Sequence, residues 1–462
     1  MKNEKITKNL MCSIVATGLL SFSGIIIETA MNITFPRLMK LFGVPLSTIQ
    51  WLTTSYLLVL SIMMPLSTYL KRRFKVKKLF IVAALFFLAG LLLDAIAPSL
   101  AILIVGRVLQ GIGTGISLPM MFNIILEQAP SNRQGLLIGV GNFITATAPA
   151  IGPTLGGLLV DSAFGWRMIF WVMVPVVAIA LILGATFIQQ KSPTTHVKLD
   201  VIGWVNLAGL FGFLIIALTQ LGQNRSLALI DGVIALFFLA STLIWYRKAK
   251  APIIKLSLFK NSWFSAHLIG YMLCQFSVMG LAFLLPNLVQ IMLKQSSFTA
   301  GLIMLPGAAL GALLSPVGGG LFDRYGAPRP ILIGISLEAI AVIGDFLVFR
   351  NATALALALI YMIFTLGQGT GVPNILTSGL QPLTPQESVD GNAIFNTLQQ
   401  FAGAAGTSII SIVIGADHTT TQANGFGHGL LILIGCLVLN LVILSVTFSR
   451  RHPKAPAITD AD

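Results

Sequence analysis

Residues 148–157 read Ala148-Pro149-Ala150-Ile151-Gly152-Pro153-Thr154-Leu155-Gly156-Gly157, inside an apolar stretch (135–160) long enough to cross a bilayer. Pro149 and Pro153 remove backbone donors from a helix interior and kink it. Gly152, Gly156 and Gly157 leave that helix without side chains where a neighbouring backbone can approach closely. An apolar, kinked segment with small residues on its surface is the pattern of a tightly packed membrane helix.

The whole chain has the same character. Of 462 residues 56% are hydrophobic and only 10% charged, and the mean hydropathy is +0.90. A soluble domain of this length needs far more charged surface. Runs of about 20 apolar residues predict spans near 10–35, 47–70, 78–97, 100–122, 135–160, 167–189, 201–222 and 227–246. Six more follow near 263–293, 298–322, 329–349, 353–378, 391–416 and 427–448, making fourteen.

The net charge of +14 is distributed as a topology signal. With the N-terminus inside, the inner segments hold 22 Lys or Arg and the outer loops 6; Arg107, within a span, completes the 29. Basic residues concentrate on the cytoplasmic side of membrane proteins, and an even span count leaves both termini there. The basic excess therefore sets orientation, and nucleic acid is not expected as a partner. Cys12, Cys274 and Cys436 lie in separate spans and suggest neither a disulfide framework nor a metal site. The N-terminal apolar stretch has no signal-peptide cleavage pattern and reads as a retained span. No phosphate-binding Gly-x-x-x-x-Gly-Lys-[Ser/Thr] loop occurs, and no catalytic cluster sits at a membrane edge, so an ATP-driven pump or an enzyme is not expected.

The chain repeats itself. Pro65-Leu-Ser-Thr-Tyr-Leu-Lys-Arg-Arg-Phe ends the second span and Pro316-Val-Gly-Gly-Gly-Leu-Phe-Asp-Arg-Tyr ends the tenth. Pro65 matches Pro316, Leu70 matches Leu321 and Arg73 matches Arg324 at one offset. Repeated halves are how many transporters build alternating access. The offset exceeds six spans by about two, so the expected division is a six-helix bundle (1–190), two accessory helices with linkers (191–262), a second six-helix bundle (263–449) and a tail (450–462). Lys191, Lys198, Arg247, Lys248 and Lys250 flank the accessory pair, and Asp231 lies near an outer end.

Several motifs carry chemistry. Glu28 is nine residues inside Arg37, roughly 13 Å at 1.5 Å per residue. A carboxyl at that depth is costly and functional by default; shielded from water, it can alternate between a proton and a cation. Arg107, nine residues from Pro98, lies about as deep, and arginine stays charged throughout any cycle. Glu338 is nine residues from Arg329 and twelve from Arg350, hence a candidate second proton or cation site. Asp94 and Asp345 lie four and five residues from outer ends, shallow enough to reach the surface as well as candidates for coupling. The thirteenth span has no acid before Asp417. His267 reads as a packing residue, and His418 and His428 as loop residues without a metal.

These stretches resemble a known family. Gly152-Pro-Thr-Leu-Gly-Gly157 resembles the fifth-span signature of proton-driven drug antiporters of the major facilitator superfamily. Glu28-Thr29-Ala-Met-Asn32-Ile-Thr-Phe-Pro36 resembles the Asp-x-Thr-x-x-Asn-x-x-x-Pro first-span pattern of the fourteen-span members, with Glu for Asp. Arg107-Val-Leu-Gln110-Gly111 resembles their fourth-span Arg-x-x-Gln-Gly motif. Gly319-Gly-Leu-Phe-Asp323-Arg324-Tyr-Gly326-Ala-Pro-Arg329 resembles the hinge motif of the inner loops. There Gly319 and Gly326 are expected to allow tight turns, and Asp323 to cap a helix or pair with arginine as an inner gate. The first-half copy departs from it: Thr68, Arg72 and Lys75 replace glycine, aspartate and glycine, so the run Lys71 to Lys78 reads as a solvated topology signal. Gly367-Gln-Gly-Thr-Gly-Val-Pro373 reads as a close-packed helix segment.

The resemblance implies an all-α membrane protein of the major facilitator fold in a bacterial plasma membrane, a monomer without cofactor. It implies export of lipophilic, cationic drugs driven by protons, with lipid around it and Glu28, Arg107, Glu338 and Asp94 as coupling candidates. Arg107 would sense the protonation of Glu28 directly, through Gln110 or through water. The rival reading is an exporter or symporter of a lipid, anionic metabolite or other solute on the same fold.

Overall fold

Every predicted span is a helix in the computed structural model, which describes residues 6–130, 134–191, 194, 199–221, 224–249, 255–415 and 423–450. Among them, fourteen helices are long and apolar enough to cross a membrane. They are α1 (Lys8–Phe42), α2 (Trp51–Arg73), α3 (Val76–Ile96), α4 (Leu100–Gln128), α5 (Gln134–Val160), α6 (Met168–Phe187) and α7 (Val201–Gln220). The rest are α8 (Arg225–Lys248), α9 (Ser262–Asn287), α10 (Ser297–Tyr325), α11 (Pro328–Val348), α12 (Ala354–Leu380), α13 (Pro385–Gly415) and α14 (Ala423–Arg450). Of the positions named above, Lys198, Lys250, Asp417 and His418, with the side chains of Thr68 and Pro316, lie outside the described residues.

Polar caps start several of these helices where the apolar runs begin. Thr7, Asp200, Asn224, Asn261, Ser296 and Thr353 each accept a hydrogen bond from a backbone N–H of the first turn. Gly43 ends α1 with φ 63°, a left-handed cap that glycine adopts without strain. In lipid nothing else satisfies the backbone, so each span closes its own hydrogen bonds.

The helices meet through small residues. α5 lies between α1 and α10 because Gly152 and Gly156 face α1 while Gly157 faces the start of α10. A Cβ on Gly156 would come 2.7 Å from the Ala30 carbonyl, and one on Gly157 2.8 Å from Phe298 Cα. Residues 152–157 of α5 make this packing on both sides.

The polar links between the two halves of the chain lie in their outer parts, among the described residues. Thr54 Oγ1 of α2 is 3.1 Å from Ser408 Oγ and 3.3 Å from Thr407 Oγ1 of α13. Thr154 Oγ1 donates to the Gly301 carbonyl at 3.2 Å, and Phe298 N to Asp161 Oδ2 at 2.9 Å. Gln290 sits in a π-helical turn, Leu288–Met292, that follows Pro286 in α9. It donates to the Ile33 carbonyl of α1 at 3.0 Å and accepts from Ser297 Oγ at 3.0 Å. The outer side is closed.

α7 and α8 form a hairpin pinned by Trp245 Nε1 donating to Asp200 Oδ1 (2.7 Å) and Ser241 Oγ to Asn206 Oδ1 (3.1 Å). α7 lies over the joint between α2 and α13: Phe211 stacks on Phe401 at 4.7 Å, and Trp204 Nε1 donates to the Ile62 carbonyl at 3.1 Å. α8 turns most of its apolar face outward.

Candidate functional site

Gly24, Glu28 and Asn32 are one turn apart, so they share a face of α1. That face meets α2 and α4: a Cβ on Gly24 would lie 2.6 Å from Thr114 Oγ1 and 2.8 Å from Tyr56 Oη. Asn32 Oδ1 accepts from Thr53 Oγ1 at 2.9 Å. Glu28 is 6% exposed, and its carboxyl makes no hydrogen bond among the described residues. Thr29 turns to the neighbouring face, where Gly152 seats against it. Pro36 lies within α1, so the carbonyl of Asn32 lacks its helical donor.

Arg107 is fully buried opposite this face. Its Nε donates to the Leu52 carbonyl (3.0 Å), its Nη1 to Gln110 Oε1 (2.6 Å), and its guanidinium lies 4.2 Å from the centre of the Tyr56 ring. Nη2 has no hydrogen-bond partner. No carboxylate oxygen lies within 4.0 Å of the guanidinium among the described residues, yet its charge acts on both Glu28 and Asp94. Gln110 Nε2 donates to Asp94 Oδ2 at 2.8 Å, so one amide joins the arginine to an acid on α3. Gly111 faces α2, where a Cβ would come 3.1 Å from the Tyr56 carbonyl.

Of the two places open to Asp94 from its distance to Pro98, the surface and the interior, the fold gives it the interior. It is fully buried, because its face of α3 is held against α4 at Gly106. Asp345, expected to be equally shallow, is 2% exposed with both oxygens lacking a partner. Glu338 is as deep as expected and wholly buried, also with neither oxygen hydrogen-bonded. The Cys274 thiol of α9 lies beside it, in range as a donor but without geometry that closes a bond. Cys274 Sγ itself accepts from Asn440 Nδ2 of α14 at 3.1 Å.

The hinge motif is also corrected. Gly319 lies within α10, so it makes no turn; only Gly326 takes a left-handed backbone, with φ 75°. Asp323 is exposed, does not cap α11, and pairs with no arginine among the described residues. Arg324 and Arg329 instead lie over the Tyr325 ring at 5.3 and 5.7 Å. In the first-half copy Lys71 pairs with Glu127 of α4 at 2.7 Å, so this run is not wholly solvated.

His267 is buried among aromatic rings, stacked on Trp263 at 4.6 Å, and His428 is exposed at the outer end of α14. Among the described residues, no three His, Cys, Asp or Glu gather as a metal site. Tyr56, Thr53 and the Leu52 carbonyl complete the Glu28–Arg107 site and were not singled out from the sequence. Their signal was a run of polar groups, Gln50 to Tyr56, inside an otherwise apolar span.

Residues 17–407 match the Major Facilitator Superfamily. The chain belongs to that superfamily. It is a transporter-family, multi-pass protein of the plasma membrane, and the relatives named next are bacterial. It is 34% identical to the lincomycin resistance protein LmrB of Listeria innocua, over 90% of this chain and 89% of that one. It is 29% identical to the multidrug resistance protein B homolog of Mycobacterium tuberculosis, over 81% of this chain and 70% of that one. A bacterial homolog of the human lysosomal transporter Spinster, solved inward-facing and occupied, shares the fold with a TM-score of 0.71 at 14% identity, covering 98% of this chain and 100% of that one.

Proposed function

We propose that this major facilitator protein exports lipophilic, cationic drugs in exchange for protons, with Glu28 as the exchanging group. The observation that carries the reading is one buried guanidinium, Arg107, in a buried site with two carboxyls, Glu28 and Asp94, and bonded through Gln110 to only the second. One cation cannot neutralise two carboxylates, and an uncompensated charge inside a membrane protein is costly. The site is balanced when Glu28 holds either a proton or a cationic cargo, and the two exclude each other. That exclusion is antiport.

With the outer side open, a proton reaches Glu28 and displaces cargo outward. With the inner side open, the proton leaves and cargo takes its place. The bundles 1–190 and 263–449 move against one another, the pair 191–262 accompanies them, and the protein works as a monomer. The names of the lincomycin- and multidrug-resistance relatives support drugs as the cargo.

The test uses ethidium as a cationic probe in proteoliposomes with an imposed pH gradient. Glu28→Gln is expected to lower gradient-driven transport by roughly 100-fold, as loss of a positioned proton-transfer group does, while Glu28→Asp retains part of it. Undiminished transport by Glu28→Gln sinks the coupling role. The second reading, an exporter or symporter of an anionic or neutral solute, draws on the unpartnered Nη2 of Arg107, which could receive an anion. It is favoured if anionic solutes compete with the probe and Glu28→Gln does not matter.

A further inference from the structure

Resting on the exchange at Glu28, we infer that Glu338 is a second proton-binding carboxyl, reached from the outer side through Asp345. The two acids are seven residues apart on α11, two turns, so they share a face with a rise of roughly 10 Å between them. Asp345 lies three residues from the outer end of α11 at Val348. Phe346, next along, lines an outer cleft with Arg350, Asn424 and His428.

The surroundings of Glu338 are built for a neutral acid. From α9 it meets the Cys274 thiol, the titratable neighbour on another helix. From α14, Asn440 reaches the same thiol and donates to the Gly270 carbonyl at 3.0 Å. From α12 the backbone of Gly367 lies so close that a Cβ there would press on Glu338 N at 2.9 Å. No lysine, arginine or histidine pairs with it among the described residues. Glu338 Oε1, Glu338 Oε2 and Asn440 Oδ1 are all buried acceptors without a donor.

A proton bound to one carboxylate oxygen removes the charge and turns that oxygen into a donor; no other bond changes, and release reverses the step. Groups that lack donors in the outer-closed form have a reason to take a proton when the outer side opens. Asp345, whose oxygens are likewise unmet, is the stepping point. Exchange at Glu28 alone moves one proton against one monovalent cation and carries no net charge. A second proton, taken up by Glu338 from the outer side and released from it to the inner side in the same cycle, makes each turnover carry one positive charge inward, so the membrane potential drives export.

The test measures ethidium transport in proteoliposomes under a potassium–valinomycin potential without a pH gradient. Wild type is expected to respond to the potential; Glu338→Gln is expected to lose that response while still responding to a pH gradient. Asp345→Asn is expected to slow both without abolishing either. A Glu338→Gln protein that keeps the potential response overturns the second site, and an Asp345→Asn protein with wild-type rates overturns the route. Infrared difference spectra of purified protein between acid and alkaline pH read the same group without transport. Glu338→Gln, or Glu338→Asp where the amide does not fold, must remove or shift one protonated-carboxyl band, and an unchanged spectrum overturns the proposal. If wild type moves no ethidium, the cargo reading fails by itself and the spectra still decide Glu338.

Discussion

Arg107 makes two hydrogen bonds that need a planar guanidinium, to Leu52 and Gln110, and presents its face to Tyr56. Lysine keeps the charge but not the fork. Arg107→Lys is therefore expected to cost about 1–3 kcal/mol by leaving buried acceptors unmet, read as a lower melting temperature in detergent, and to reduce transport. Gln110→Ala tests the link to Asp94. It should strip the carboxylate of its donor at Oδ2 and weaken proton coupling more than cargo binding, compared by transport with and without a pH gradient. A binding loss equal to the coupling loss would mean that Gln110 merely packs. Asp94 also shows where sequence reading stops at this scale. Its distance from Pro98 gave depth along the helix, but not the direction in which the side chain points. The small residues Gly106 and Gly113 on α4, which meet Gly90 and Ala83 on α3, were the available sign that this face is interior.

At the scale of the element, α5 acts as a spacer that touches both halves. Gly156 allows the Ala30 backbone to come close, two residues from the coupling acid. Gly156→Val is expected to force α1 and α5 apart at about 1–3 kcal/mol, lowering the melting temperature and transport together. Gly212→Ala on α7 and Gly232→Ala on α8 meet open space and should be neutral or stabilising by up to ~1 kcal/mol. Equal losses at all three positions would remove the packing role assigned to the α5 motif. The spacing of these glycines was legible because small residues at helical intervals imply close approach. That one face serves α1 and the next serves α10 was not, since partners on both sides of a helix are set by how the halves assemble.

For the whole molecule, the outer closure is made by hydrogen bonds without an ion pair among the described residues. Thr54, Thr407 and Ser408 form a cluster of hydroxyls across the two halves, with Gln50 beside them. Interhelical hydrogen bonds in membranes average about 0.6 kcal/mol. The double variant Thr54→Val, Ser408→Ala should therefore favour the outward-open form by about 1 kcal/mol, roughly a fivefold shift in population. Spin labels at positions 164 and 295, exposed on outer loops of different halves, read that shift as a larger share of long distances. An unchanged distribution would assign the closure to the remaining links, α5 with α10 and Gln290 with α1. Asp323 belongs to this scale as well: its expected partners depend on which side of the transporter is shut, and here the inner latch is not engaged.

The sequence alone determined the number of spans and the depth of Glu28, Arg107 and Glu338 along them, because hydropathy and the cost of intramembrane charge act locally along the chain. The internal offset that pairs Arg73 with Arg324 also pairs Asp94 with Asp345, a relation readable before any coordinates. Only the tertiary structure decided that Asp94 is served by Gln110 while Asp345 is not, that Tyr56 lies against Arg107, and that Cys274 and Asn440 surround Glu338. Helix azimuth and the pairing of distant helices depend on how all the small residues fit at once, and no local window of the chain contains that information.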